Sequence, residues 1–524
     1  MHVFKNSYVF VLAAFAFVLM TGRPVSAYAE DFNAAGAQNI KQQLQNWLDF
    51  QIETVNGHNT PGATATGEAI LTEGDITVVP QDSYYAAQLP EIIYQMQNGA
   101  RFDLGSIKMN IVPDTATKWQ TTMALPRTLT VTDPTGEQTG RVVLGDQRFK
   151  GLWHADNYMF SQIDATYKDI EFIPETDNFA KGHIDAITLN QDLVSDSVGP
   201  AYFSGPIEMV LNGIDITRPG GNGKRILIDR LTSDTTYTAL PLLDLKNYAA
   251  KAGVVYGNDD SEQTNKFALA HMVFAMLPQS YQADVTAENI TIKTPGSDDI
   301  TTDRVVISST GDKLNTDNGT VTMRYTADDI QSGETETALS PYIPTQGTIN
   351  INADNIPAES LSKILDKAFL TIFNQAENLN IGERHTIFEN ALKEMPFIFR
   401  QNGVSISIVN SRLKAPKLDI TMEGEFTPAA ANAKTPFKGI LVMRVDGLAN
   451  AMADIQRQIQ LNRGDLQQNQ MAFQFLTVFQ AMGKPDGTAR VYEIEFVPTG
   501  EILLNGVNFS SMLQGGLPSY LKVE

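Results

Sequence analysis

Apolar and polar residues follow two different periods along this chain, and the clearest switch between them falls within residues 383–425. Residues up to Met395 are spaced as an amphipathic helix and then meet Pro396. An Asn402-Gly403 turn follows, after which Val404, Ile406 and Ile408 alternate with Ser405 and Ser407. Lys414-Ala415-Pro416 punctuates the run before Leu418, Ile420 and Met422 alternate again. A period near 3.6 predicts helix and a period of 2 predicts strand. Proline disfavours helix in the residue before it, so the stretch reads helix, proline, strand, strand. The same order is expected after Leu89-Pro90 and after Leu277-Pro278, with second prolines at Pro113 and Pro295.

Taken in order, residues 32–57 read as a helix through Ile40, Leu44, Trp47 and Leu48, with Asn56-Gly57 as its stop. Residues 75–80 alternate as a strand. Residues 83–97 carry Tyr84, Ala87, Ile92, Ile93 and Met96 at helical spacing, bent or broken at Leu89-Pro90. From 100 to 231 the chain is strand-rich and punctuated by turn signals such as Asp133-Pro134-Thr135-Gly136. A short motif of acid or amide, Ile, a polar residue and a later Pro recurs at Asp75-Ile76, Asp169-Ile170, Asp215-Ile216 and Asn289-Ile290. Its irregular spacing suggests one strand type reused in a meander and excludes a solenoid of fixed period. Residues 247–278 read as helix with a polar break at 257–260. Strands return at 285–292, 304–308, 320–325 and 348–353; Ile356-Pro357 precedes a helix to about Phe373, and a second helix runs over 383–395. A long helical region at 447–482 is broken at Arg463-Gly464-Asp465, and a hairpin closes around Pro498-Thr499-Gly500.

The N-terminus changes the picture. His2 and Lys5 precede an apolar run of about 13 residues, within the range of a secretory signal and short for a membrane span. Val25-Ser26-Ala27 and Ala27-Tyr28-Ala29 are small-residue cleavage patterns, so cleavage near Ala27 or Ala29 is expected, with an uncleaved anchor as the alternative. The expectation is an exported chain, periplasmic or extracellular, with no integral span after signal removal. No cysteine is present, which excludes disulfides, thiolate metal sites and lipid attachment behind the signal. The formal charge of −21 argues against nucleic-acid binding and against anionic lipid surfaces. The domain division expected is 1–29 signal peptide, 30–245 N-terminal β-rich domain and 246–524 C-terminal α+β domain.

The ending Gly500-Glu501-Ile502-Leu503-Leu504-Asn505-Gly506, together with Leu392, Met395-Pro396, a strand and Pro416, resembles the YdgA-type proteins of the bacterial envelope over about residues 355–510. The resemblance implies export and long antiparallel strands. It brings no catalytic residues with it.

Few residues of the chain carry a chemical signature. The histidines His2, His58, His154, His183, His271 and His385 do not pair at zinc-site spacing. His271 reads as a satisfied core or boundary histidine and His385, near a helix start, as a surface one. Ser360-Leu361-Ser362-Lys363 matches the Ser-x-x-Lys of penicillin-interacting serine enzymes, in which the Lys one turn on helps activate the Ser. No Lys-Thr-Gly follows it, and a helix N-terminal turn is the favoured reading. Residues 218–224, Arg-Pro-Gly-Gly-Asn-Gly-Lys, depart from a phosphate loop and read as a connection between strands. Residues 315–319, Asn-Thr-Asp-Asn-Gly, lack the downstream Glu of a calcium loop and read as a hairpin turn. Catalytic residues, metal ligands and cofactors are therefore expected to be none.

The fold expected is a β-rich α+β protein: long twisted antiparallel sheets with helices packed on one face, in two related halves. The function expected is that of a non-catalytic envelope protein binding an apolar or amphipathic, lipid-like ligand in a groove between sheet and helices. Two alternatives stand beside it: a structural or interaction module with an envelope protein partner, and a hydrolase whose carboxylates meet only in three dimensions.

Overall fold

A computed structural model describes residues 32–56, 69–241, 251, 254–255, 262–332, 340–461 and 466–508, apart from 97, 156–157, 178, 219–222, 297–298, 377, 431–432 and 436. The expected signal peptide, its cleavage sites and the boundary expected at 245 lie outside the described residues. The chain divides into two compact units, one formed by Met1–Pro278 and Lys367–Ile387, the other by Gln279–Asp366 and Phe388–Glu524. The described residues are β-rich and the strands pair antiparallel throughout.

The first unit opens with helix α1 (Ala34–Asn56), whose Ala37, Ile40, Leu44 and Leu48 are buried in one core with the strands that follow. Glycine at position 36 is required there: a Cβ would lie 2.1 Å from the Tyr85 hydroxyl oxygen. Strands β1 (Ala69–Glu73) and β2 (Thr77–Pro80) share one edge of β3 (Tyr85–Gln95). The other edge of β3 pairs with β4 (Arg101–Pro113). Next come two strands interrupted at their middles. Strands β5 (Lys118–Ala124) and β6 (Thr128–Thr132) both pair with β4, and β7 (Gln138–Leu144) and β8 (Gln147–His154) both pair with β9 (Met159–Pro174). The meander continues through β10 (Lys181–Asp192), its short extension β11 (Val194–Asp196), β12 (Gly199–Thr217) and β13 (Arg225–Pro241).

The interruptions line up into a crease across the strands. The register slips on β3 at Leu89-Pro90 and on β4 beside Gly105, which has φ +62. Pro126 separates β5 from β6, packs where a Gly105 Cβ would fall 2.7 Å from its Cγ, and has no N–H for a ladder. Gly145-Asp146 separates β7 from β8. Facing that gap, Asp169 of β9 takes φ +52. Along the same line Asp185 of β10 faces Gly213 of β12 (φ +62), which faces Asp229 of β13.

This crease explains two departures from expectation. Residues 83–97 are not a helix: residues 85–95 form strand β3. Tyr85, Ala87 and Leu89 are buried at period 2, and the slip then moves the buried set to Pro90 and Ile92. One phase shift inside a strand places apolar residues three apart and imitates helical spacing. Leu89-Pro90 therefore closes no helix. The recurring acid-or-amide-Ile motif is in part the same device. Asp169-Ile170 and Asn289-Ile290 each place the first residue at φ +52, as do Asp329-Ile330 and Asn355-Ile356 at +53 and +56. Asp and Asn are the residues besides glycine that enter the left-handed region most readily.

Helix α2 (Glu262–Ala275) ends before Leu277-Pro278, as expected. The second unit then starts with β14 (Ser280–Lys293), β15 (Ile300–Asp312), β16 (Gly319–Asp328) and the two-residue β17 (Gln331–Ser332). The chain continues through β18 (Gln346–Ile356), helices α3 (Ala358–Gln375) and α4 (Ile381–Gln401), whose stretch Lys367–Ile387 belongs to the first unit, and then β19 (Ser405–Lys414), β20 (Asp419–Pro428) and β21 (Phe437–Asp446). Helices α5 (Leu448–Gln460) and α6 (Leu466–Met482) lead into β22 (Lys484–Asp486), β23 (Ala489–Phe496), β24 (Ile502–Leu504) and β25 (Val507–Asn508). The pairing order is β14-β15-β16-β18-β19-β20-β21-β23-β24-β25. Met395-Pro396 does not end α4, which carries Pro396 inside it and buries Ile398 beyond it. The stop is Asn402-Gly403: Gly403 takes φ +64, and the amides of Gly403 and Val404 donate to the Arg400 and Phe399 carbonyls.

Candidate ligand-binding face

Residues directly opposite each other in a ladder point to the same face, so the registers of the second unit sort its strands into two faces. One row runs Val285, Ile307, Tyr325, Ile349 across β14, β15, β16 and β18. The row beside it runs Ala283, Ser309, Met323, Ile351, Ile408. On the other side lie Ala287, Val305, Ala327 and Gly347. The alternate positions carry the charge, in rows such as Glu288, Arg304, Asp328 and Asp284, Ser308, Arg324, Asn350. The first face holds no ionisable carboxylate, amine or guanidinium in these three rows. The two hydroxyls of Tyr281 and Ser309 bond to one another at 2.8 Å.

Further along the sheet this face is closed. Val445, Tyr492 and Leu504 form a core with Leu448 of α5, and Leu476, Phe479 and Met482 of α6 pack against it. Phe479 stacks on Tyr492 with centroids 4.2 Å apart, and the Tyr492 hydroxyl donates to the Phe479 carbonyl at 3.0 Å. Burial pushes the Tyr492 phenol up to about 12. Along the first two of these rows, over β14 to β18, the face is open: Val285 is 36 % exposed, Ile307 41 %, Met323 46 %, Tyr325 41 % and Ile351 36 %, whereas Ala327 of the third row is buried. Single exposed apolar residues need no explanation, but registered neighbours forming a patch do.

Ser360 lies at the first turn of α3, where its amide and its hydroxyl both donate to Asp317, each at 2.7 Å. Lys363 bonds Glu359, which raises its pKa and keeps the amine charged, the opposite of what a general base needs. Asp317 belongs to the 315–319 segment. That segment therefore joins β15 to β16 and also caps α3, since the Thr316 carbonyl accepts from the amides of Ala358 and Glu359. The 218–224 segment connects β12 to β13 and is closed by Arg218 N–H donating to the Lys224 carbonyl at 2.8 Å, with 219–222 outside the described residues. His271 is buried in α2 beside Phe267 and Phe369, and His385 of α4 is half-buried. His183 pairs with Asp185 at 3.0 Å.

One pair of carboxylates missed in the sequence does meet. Asp103 of β4 lies against Glu91 of β3 and raises its pKa, with burial and Glu73 adding to the shift. No spacing signal marks them, because the register slips of the crease bring them together. Among the described residues no group of three or more His, Asp or Glu is arranged to hold a metal ion. No described helix is long and apolar enough to cross a membrane. No protein-family model matches the chain, and no curated protein or solved structure matches it either.

Proposed function

We propose that this is an exported, non-catalytic protein of the bacterial envelope that holds an apolar or amphipathic ligand against the open sheet face of its second unit. The observation that carries this reading is the patch of Val285, Ile307, Tyr325, Met323 and Ile351, which stays open while α5 and α6 cover the same face elsewhere. Burying apolar surface stabilises a complex by about 25 cal/mol per Å², so an uncovered apolar strip is a standing driving force for a ligand. Export is supported by the basic start and apolar run before Ala27 and Ala29, and the envelope assignment by the resemblance of residues 355–510 to YdgA-type proteins. The same reading takes the two units as related halves with helices packed on one face of each sheet. Its support is the left-handed Asp169-Ile170 and Asn289-Ile290 pairs, one in each unit.

Purification from the native source without detergent, followed by solvent extraction and mass spectrometry, tests the proposal. A reproducible apolar compound is expected in stoichiometric amount. Protein that is repeatedly empty, and that takes up no apolar probe, overturns it.

A further inference from the structure

Resting on that reading, we infer that the occupant of the open face is one linear acyl chain of a membrane lipid, held by its hydrocarbon alone with the headgroup left in solvent. The open strip is small. Four strands span roughly 14 Å across the ladder, and the two open rows lie about 7 Å apart along it, giving on the order of 100 Å². A stable protein interface needs about 800 Å² on each partner, so a second copy of the chain or a folded partner would find too little to bury. An extended chain of about 12 carbons matches the distance across the four strands.

The chemistry of the face agrees. The rows that line it are Val, Ile, Met, Ala and Gly with Tyr325, and the remaining polar pair, Tyr281 and Ser309, is internally satisfied. Arg304 and Arg324, the basic residues of β15 and β16, occupy the opposite face of those strands. A carboxylate or phosphate head would therefore find no cation in these rows to hold it, and a sterol would find a shallow strip instead of a closed pocket. Recognition is left to the length of the chain.

The test is a binding series by isothermal titration, using alkyl phosphocholines and alkyl maltosides of 8 to 16 carbons below their micelle concentrations. Affinity is expected to rise about threefold to fourfold per methylene and to flatten near 12 carbons, with the two headgroups equal at each length. The double substitution Ile307→Asp and Met323→Asp, at exposed positions, is expected to weaken binding at least about tenfold with an unchanged melting temperature. Phe397→Asp, at an exposed position of α4, serves as the matched control and is expected to bind as the parent chain does. A headgroup preference, tighter binding of a sterol than of a dodecyl chain, concentration-dependent dimerisation lost in the double variant, or an intact series in that variant would each overturn the assignment. If extraction still recovers an apolar compound, the ligand-binding reading survives and only the acyl-chain assignment at this face fails. If nothing apolar binds at all, both fail.

Discussion

Asp185 lies over Gly213. A Cβ at position 213 would fall 2.0 Å from the Asp185 carboxylate oxygen, and the Gly213 backbone sits at φ +62. The two residues face each other from β10 and β12, on the line along which β3 and β4 slip in register and β5/β6 and β7/β8 are interrupted. The steric conflict is relieved when the exposed Asp185 swings away, but the backbone conformation is not. Gly213→Ala is therefore expected to destabilise the first unit by about 1–2 kcal/mol. Gly213→Asn, whose side chain tolerates the left-handed region, is expected to cost less. Urea titration of both variants checks the order, and an alanine variant as stable as the asparagine one would show that the crease does not depend on this conformation.

Asp317 reaches from the β15–β16 connection to cap α3. Its carboxylate accepts from the Ser360 amide and hydroxyl, each at 2.7 Å. Loss of a helix cap costs about 1 kcal/mol, more when the acceptor is charged. Asp317→Ala is expected to lower the unfolding midpoint more than Ser360→Ala does. Neither the parent chain nor Ser360→Ala is expected to be acylated by a fluorescent penicillin, since Ser360 is held by Asp317 and Lys363 by Glu359. Labelling that disappears in Ser360→Ala would revive the serine-enzyme reading.

Asp454 of α5 accepts from Lys417 Nζ at 2.8 Å and from the Tyr342 hydroxyl at 2.6 Å. These bonds, Lys417 first, hold its carboxyl below the ordinary carboxylate range. A depressed folded pKa stabilises the protein above the unfolded value of about 3.9 and loses that contribution as pH falls through the folded one. Asp454→Asn is thus expected to lower the melting temperature at pH 7, with the difference from the parent chain fading as pH falls below the unfolded value and through the depressed folded one. A pH-independent difference would place the effect in packing.

Glu91 has the opposite sign. Asp103 beside it raises its pKa, so the charged form costs stability at neutral pH and the cost is relieved as pH falls through the raised value. Glu91→Gln is expected to raise the melting temperature at pH 7 and to leave it unchanged at pH 3. Loss of a hydrolytic activity in this variant, found by broad substrate screening, would instead assign the pair to chemistry.

Tyr492 is buried without exposed surface, stacked on Phe479 and bonded to its carbonyl. Removing only the hydroxyl, as in Tyr492→Phe, leaves that acceptor unmet and is expected to cost about 1 kcal/mol. Tyr492→Ala removes the ring as well and is expected to cost about 3–5 kcal/mol. Chemical denaturation distinguishes the two. Equal effects would mean that the stack contributes nothing beyond the hydrogen bond.

Local pattern by itself determined much of the fold. Helix α1, the strand-rich run from 100 onward, the stop of α2 before Leu277-Pro278, the hairpin around Pro498-Thr499-Gly500 and the β-rich antiparallel class all follow from period, turn residues and proline, which act over a few neighbouring positions. The tertiary structure decided what depends on partners distant in the chain. It made β3 a strand where a register slip counterfeits helical spacing, and it carried α4 through Pro396 because Ile398 is buried beyond it. It paired Glu91 with Asp103, and it gave Ser360 to Asp317, 43 residues away. The open face was out of reach for the same reason. Val285, Ile307, Tyr325 and Ile351 each read as ordinary inward strand positions, and only the pairing of four strands, with α6 covering the same face elsewhere, shows that these remain uncovered.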